Sequence, residues 1–153
     1  MDTGRYCYRY PRPAVTADCV VFRKMGDSIE VLLIERGGEP YKGCWAFPGG
    51  FMNMDETVEQ CASRELEEET GLKSVTLEQL RVYSAPERDP RERVITVAFT
   101  GMLSANHCEI AAGDDAAKAQ WFPIATLPPL AFDHDRILSD ALKRLETHGH
   151  QAE

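Results

Sequence analysis

The stretch that decides the reading is Pro48-Gly49-Gly50-Phe51-Met52-Asn53-Met54-Asp55-Glu56, continuing as TVEQCASRELEEETGL from Thr57 to Leu72. It opens on a Pro-Gly-Gly break, a combination that favours a tight turn and leaves backbone groups free to approach a ligand. Residues 57–70 contain no Gly or Pro and are rich in helix formers, and Gly71 stands where a left-handed C-terminal cap is wanted. The pattern predicts loop, helix, stop. At about 100° per residue, Val58, Cys61, Ala62 and Leu66 share one broad side, as a face packed on a sheet should. Glu65, Glu68 and Glu69 project in that same sector, whereas Gln60, Ser63 and Glu67 point away. Three carboxylates at i, i+3 and i+4, leaning toward the protein body, repel one another and are costly to desolvate unless a cation sits between them. Hard oxygen ligands at this spacing suit Mg²⁺, or Mn²⁺, better than Zn²⁺, because no His or Cys completes a softer set. The glutamates alone leave a second reading open, a solvated acidic helix end.

The flanking residues change that balance. Gly50, five residues, Glu56, seven residues, then Arg64-Glu65-Leu66-Glu67-Glu68-Glu69-Thr70-Gly71-Leu72 resembles the signature box of the Nudix hydrolases, G-x5-E-x7-R-E-U-x-E-E-x-G-U with U aliphatic. Every specified position is filled. The resemblance implies an enzyme that cleaves a diphosphate linked to another moiety, using divalent metal on this loop-helix-loop. It implies Glu65, Glu68 and Glu69 as catalytic metal ligands joined by the Gly49 carbonyl, with Glu56 beside the metal cluster. Arg64 would hold Glu56 or a neighbouring carboxylate in place. The implied fold is α/β, a mixed sheet sandwiched between helices in an α/β/α arrangement, with which the alternating strand and helix periods are compatible.

Composition agrees with one compact catalytic domain. A chain of 153 residues is long enough for a sizeable core and too short for two ordinary domains. A formal charge of −8 argues against a basic surface of the kind that coats nucleic acid. Five cysteines, an odd number without framework spacing, and an N-terminus without the apolar run of a secretory signal point to a reducing cytoplasm. Cys61 reads as a small core residue rather than a nucleophile. No segment approaches the roughly 20 apolar residues that cross a bilayer.

In chain order, residues 1–12 read as a polar, aromatic arm in which Tyr6, Tyr8 and Tyr10 alternate, residues 13–146 as the single domain, and 147–153 as a frayed tail. Residues 14–22 and 29–36 predict two strands of a hairpin turning at Gly26 and Asp27. Trp45 reads as core that fixes the following turn, with base stacking as the alternative. Arg36 and Lys42 are placed either to meet a phosphate or to serve as solvated surface charges. Residues 75–83 and 94–103 predict strands, and between them lies Ser84-Ala85-Pro86-Glu87-Arg88-Asp89-Pro90-Arg91-Glu92-Arg93. Two prolines and six charges predict a loop there. Its three arginines are suited to bidentate phosphate contacts, although composition alone favours a solvated loop neutralised by Glu87, Asp89 and Glu92. Residues 111–119 read as a further loop before a short strand at 120–122. A closing amphipathic helix is expected over 132–145, with Asp133 as its N-cap and His134 part of its start.

The segment Ser84 to Arg93 with Val94-Ile95-Thr96-Val97-Ala98-Phe99, together with Lys42-Gly43-Cys44-Trp45-Ala46 and Leu127-Pro128-Pro129-Leu130-Ala131-Phe132-Asp133-His134, resembles the ADP-ribose pyrophosphatase branch of the family. That resemblance implies Mg²⁺-dependent hydrolysis of ADP-ribose to AMP and ribose 5-phosphate, with Arg36, Lys42, Arg88, Arg91 and Arg93 as substrate-binding residues. It implies one further acid after the last of these strands, as base or metal ligand, for which Glu109, Asp114 and Asp115 are the candidates. A small-molecule nucleotide diphosphate as partner, a homodimer, and no nucleic-acid or membrane partner complete the expectation. Two alternatives stand beside it: a pyrophosphohydrolase of ordinary or oxidised nucleoside triphosphates, and a non-catalytic ADP-ribose-sensing domain like that of transcriptional regulators of NAD metabolism.

Overall fold

The computed structural model describes residues 4–104, 110 and 116–151, and of 116, 117 and 148–151 the backbone only. The first two strands, β1 (Ala14–Met25) and β2 (Ser28–Arg36), pair antiparallel around the Gly26-Asp27 turn, where Gly26 adopts the left-handed φ of 61°. Glycine takes that conformation at no steric cost. The apolar run of β1 divides by parity, since successive side chains of a strand point to opposite faces. Ala17, Cys19 and Val21 join one core, and Val20 and Phe22 the other.

That two-faced strand is the centre of a mixed sheet. Along one edge β1 runs parallel to β6 (Val94–Leu103), from Ala14 beside Val94 to Arg23 beside Leu103. Along its other edge it pairs antiparallel first with β4 (Gly49–Phe51) and then with β2. The short β3 (Trp45–Ala46) and β7 (Ala116–Pro123) add to β2, and β5 (Glu78–Tyr83) closes the far side against β6.

A helix covers each face. α1 (Val58–Thr70) starts at Thr57, whose hydroxyl accepts from the Gln60 amide while the Gln60 side chain accepts from the Thr57 amide, a reciprocal capping box. Gly71, at φ 80°, ends it. Its buried Cys61, Ala62 and Leu66 pack on Ala17, Cys19, Val21, Leu32 and Phe99. On the opposite face α2 (His134–Gln151) presses Ile137, Leu138 and Ala141 onto Val20, Phe22, Val31 and Leu33. The α/β/α layering is therefore as expected, because both faces of β1 are apolar and each needs a cover.

Four local expectations fall differently. β5 begins at Glu78, three positions into the predicted strand. β7 begins at Ala116 inside the stretch expected to be loop, because β2 offers it a pairing edge from Arg36 beside Ala116 to Glu30 beside Pro123. α2 continues in helical backbone to Gln151, beyond the start of the expected tail. The Asp133 main-chain carbonyl accepts from the Ile137 amide, but its carboxylate turns away to Arg88 and caps nothing. Trp45 is buried, edge-on to Phe122 at 4.7 Å. Residues 4–13 form no strand, and Tyr6, Tyr8 and Tyr10 are exposed.

Candidate active site

The turn at Pro48-Gly49-Gly50 is pinned from three sides. Asp18 of β1 pairs with Gly49 in register, the Cys19 amide donates to the Pro48 carbonyl at 2.8 Å, and the Phe47 amide donates to His134 Nδ1 at 3.1 Å. The glycines are there for clearance. A Cβ on Gly49 would collide with the Ala17 carbonyl and the Asp18 carboxylate, and one on Gly50 would lie 2.6 Å from the Glu65 carboxyl carbon. The turn thus sits directly against the acidic end of α1.

There Arg64 organises the carboxylates. Its Nε and Nη2 grip Glu56 at 2.9 and 2.7 Å, its Nη1 reaches Glu65 at 2.8 Å and Glu68 at 3.1 Å, and Nη2 also donates to the Phe51 carbonyl at 3.1 Å. Charge-assisted contacts of this kind favour the ionised acid. The Arg64 hydrogen bond, with a further one from the Asn53 amide, holds Glu56 down to about 2. Glu65 moves the other way: burial raises it, and Arg64 offsets only part of that cost. Glu69 is buried and accepts from the Gly49 amide at 2.7 Å. Glu68 differs from the expectation that all three acids lean inward, for its side chain is 58% exposed at the rim. Cys61, whose thiol burial pushes up to about 12, is no nucleophile.

Among the described residues, no three acidic, His or Cys side chains converge as they stand closely enough to hold an ion. The donor set nevertheless fits a hard divalent cation. Glu65, Glu68, Glu69, Gly49 and Gly50 line one cleft, every donor is oxygen, and the desolvated Glu65 would be relieved by a neighbouring cation. Glu65 and Glu68 each give the shared Nη1 a single oxygen, so the other oxygen of each is left for a cation.

The cleft has a volume of about 1250 Å³ and takes in Arg36, Arg88, Arg91 and Phe132 besides the acids. The arginines are unequally available. Arg88 is buried in a bidentate pair with Asp133 at 2.7 and 3.0 Å. Arg91 clasps Asp89 at 2.7 and 3.0 Å, which draws Asp89 below the usual carboxylate range against the opposing effect of burial. Arg36 anchors by Nε on the Pro40 carbonyl at 2.7 Å. Lys42 and Arg93 do not line the cleft; Arg93 makes one long contact, 3.4 Å, to the Ala85 carbonyl. Glu109, Asp114 and Asp115 lie outside the described residues.

Two cleft residues carried no sequence expectation for this site. Asp18 is buried, accepts from the Thr96 hydroxyl at 2.6 Å and lies 3.7 Å from His134 Nε2. The one available signal was a carboxylate inside an apolar strand, a rare place for one without a partner. His134, stacked on Phe47, was read only as part of a helix start. Burial depresses its pKa, with Asp18 opposing.

A sequence model of the NUDIX domain matches residues 12–141. The chain belongs to the Nudix family. Among its Nudix relatives, the ADP-ribose pyrophosphatase of Methanocaldococcus jannaschii is 44% identical over 134 residues, covering 88% of this chain and 76% of that protein. The ADPR responsive transcriptional repressor NtrR of Acinetobacter baylyi is 34% identical, covering 89% of this chain but 56% of the repressor. Among solved structures, the NUDIX domain of Shewanella oneidensis NrtR complexed with ADP ribose superposes with a TM-score of 0.83 at 32% identity, over 89% of this chain and 90% of that one. Among the described residues, no helix is long and apolar enough to cross a membrane.

Proposed function

We propose that this Nudix chain hydrolyses ADP-ribose to AMP and ribose 5-phosphate, with Mg²⁺, or Mn²⁺ in its place, held by Glu65, Glu68, Glu69 and the Gly49 carbonyl. The observation that carries it is one cleft that places an acidic cluster and the arginines Arg36 and Arg91 together, in a volume large enough for a diphosphate with a substituent at each end. The 44% identity to an ADP-ribose pyrophosphatase and the likeness to a domain solved with ADP ribose support the choice of substrate. Bound metal supplies charge neutralisation at the diphosphate and lowers the pKa of water. The chain's own residues do the rest. Arg64 keeps Glu56 ionised and the acid side chains ordered, Gly49 and Gly50 let the main chain approach, and Arg36 and Arg91 receive phosphate oxygens. The acid that activates water is sought among Glu109, Asp114 and Asp115. Residues 13–146 form the working domain, acting on small molecules in the cytoplasm as a homodimer.

A turnover screen with Mg²⁺ across ADP-ribose, NADH, diadenosine polyphosphates and dNTPs tests the substrate, with AMP release from ADP-ribose expected to lead. Preference for a triphosphate would replace the assignment. Glu68→Gln is expected to cut turnover at least a hundredfold with the fold intact, and near-normal turnover would remove Glu68 from the ligand set. A sensor reading is favoured by one observation, the similarity both to the Acinetobacter baylyi repressor and to the Shewanella oneidensis NrtR domain solved with ADP ribose. Binding of ADP-ribose with no product under any metal would establish it.

A further inference from the structure

Phe132 takes part in neither the metal set nor the ion pairs, yet it lines the cleft. It precedes α2 with φ of 52°, a left-handed conformation that a bulky side chain adopts only where its surroundings enforce it. The enforcing contacts are visible. Its ring lies 4.8 Å from that of Tyr41, itself at φ 62°, and 5.6 Å from the His134 imidazole.

Two guanidiniums meet this ring. Arg36 is 5.0 Å from its centroid and Arg91 is 5.5 Å, with Arg91 also 5.2 Å from the Phe51 ring. Like charges so placed repel, and they sense each other: the Arg36 pKa is lowered first by burial and next by Arg91. The quadrupole of an aromatic face attracts both cations. Each arginine is also tied down, Arg36 to the Pro40 carbonyl and Arg91 to Asp89. Asp89 neutralises Arg91 on one edge only, and both arginines line the cleft with Phe132.

We infer that Phe132 is a positioning residue whose ring holds Arg36 and Arg91 at a fixed spacing as a two-cation clamp for the phosphates of a nucleoside diphosphate. The inference rests on the proposed substrate class but not on ADP-ribose itself. It acts on binding, so the effect belongs in KM rather than kcat.

The test compares Phe132→Leu, which keeps an apolar side chain and loses the ring face, with Phe132→Tyr, which keeps the ring. ADP is titrated calorimetrically into each at saturating Mg²⁺, alongside steady-state kinetics with ADP-ribose and a melting curve. Phe132→Leu is expected to weaken ADP binding about tenfold, the size set by two lost cation–π contacts, and to raise KM equally with kcat nearly unchanged. Phe132→Tyr is expected to bind as the parent does. Should Phe132→Leu melt early, Phe132→Met serves the same arm. Equal ADP affinity in the Leu and parent proteins overturns the clamp, as does a Tyr variant that falls as far as Leu. If the parent fails to hydrolyse ADP-ribose while the Leu and Tyr variants still separate in ADP affinity, the substrate assignment fails and the clamp stands. Hydrolysis without that separation removes the clamp alone.

Discussion

Residues 49–72 and residues 84–93 are both dense in charge, but they treat it in opposite ways. In the first, the positive charge of Arg64 is shared among Glu56, Glu65 and Glu68, and buried Glu69 is held by a backbone amide, so acidity exceeds what the arginine can satisfy. In the second, Arg88 is spent on Asp133, while Arg91 gives Asp89 one edge of its guanidinium and still lines the cleft. An excess of unmatched like charge marks a place that wants a ligand, whereas matched charge marks a joint. A count of arginines therefore overstates the phosphate-binding capacity of the loop.

The largest effect that separates joint from site is expected at Arg88. Its side chain is 4% exposed, and removing one partner of a buried pair leaves the other charge uncompensated. Arg88→Ala is expected to lower unfolding stability by about 3 kcal/mol in urea titrations. The double variant Arg88→Met, Asp133→Leu should recover much of that loss, because well-packed apolar groups replace buried ion pairs at little cost. A single variant as stable as the parent, but with a large rise in KM, would turn the joint back into a binding site.

How much of this was legible in the sequence follows from the range of the interactions involved. The loop, the helix and its C-terminal cap could be read because helix propensity and Gly71 act locally, whereas the equally local Thr57–Gln60 capping box was not singled out in the sequence. The strand pair at the N-terminus and the strand at 94–103 could be read because apolar, β-branched runs are local facts. The first part of β7, before the strand expected at 120–122, could not, since it opens on Ala, Ala and Lys and only the open edge of β2 makes them a strand. The same holds for the site. Glu65, Glu68 and Glu69 announce themselves by spacing, but the exposure of Glu68 depends on where Arg64 and the turn lie. That Arg88 would find Asp133, or Asp18 would face His134, depends on pairings 45 and 116 positions apart in sequence, the second figure being 134 less 18. Phe132 stands in a segment quoted for its resemblance but given no role, because its position beside two arginines is set jointly by the end of β2, the loop at 84–93 and the approach to α2.

A smaller effect should distinguish the support behind the glycine turn from the arginine joint. His134 must be neutral to accept from the Phe47 amide through Nδ1, and burial lowers its pKa below the unfolded value of about 6.5. The unfolded chain then binds the proton more readily, so stability rises with pH just below 6.5 and is fully present above it. As pH falls from 7 toward 5.5, the parent is expected to lose melting temperature more steeply than His134→Gln, whatever their difference at pH 7. Parallel slopes would show that His134 is not held neutral and that the turn is fixed by β1 alone.

The smallest effect is expected at Arg93, and it is informative for that reason. Arg93 belongs to the same loop as Arg88 and Arg91 and has the same side chain, but it has one weak carbonyl contact and no place in the cleft lining. Exposed substitutions away from a specific contact usually change stability by less than about 0.5 kcal/mol. Arg93→Ala should therefore leave urea midpoint and KM for ADP-ribose within about twofold of the parent, while phosphate contacts by a charged hydrogen bond typically carry more than that. If KM instead rises tenfold with stability unchanged, the loop must close over the bound nucleotide and recruit Arg93 from outside. The difference between joint and site would then be a property of the free protein, and the arginine count from the sequence would be the better guide to the complex.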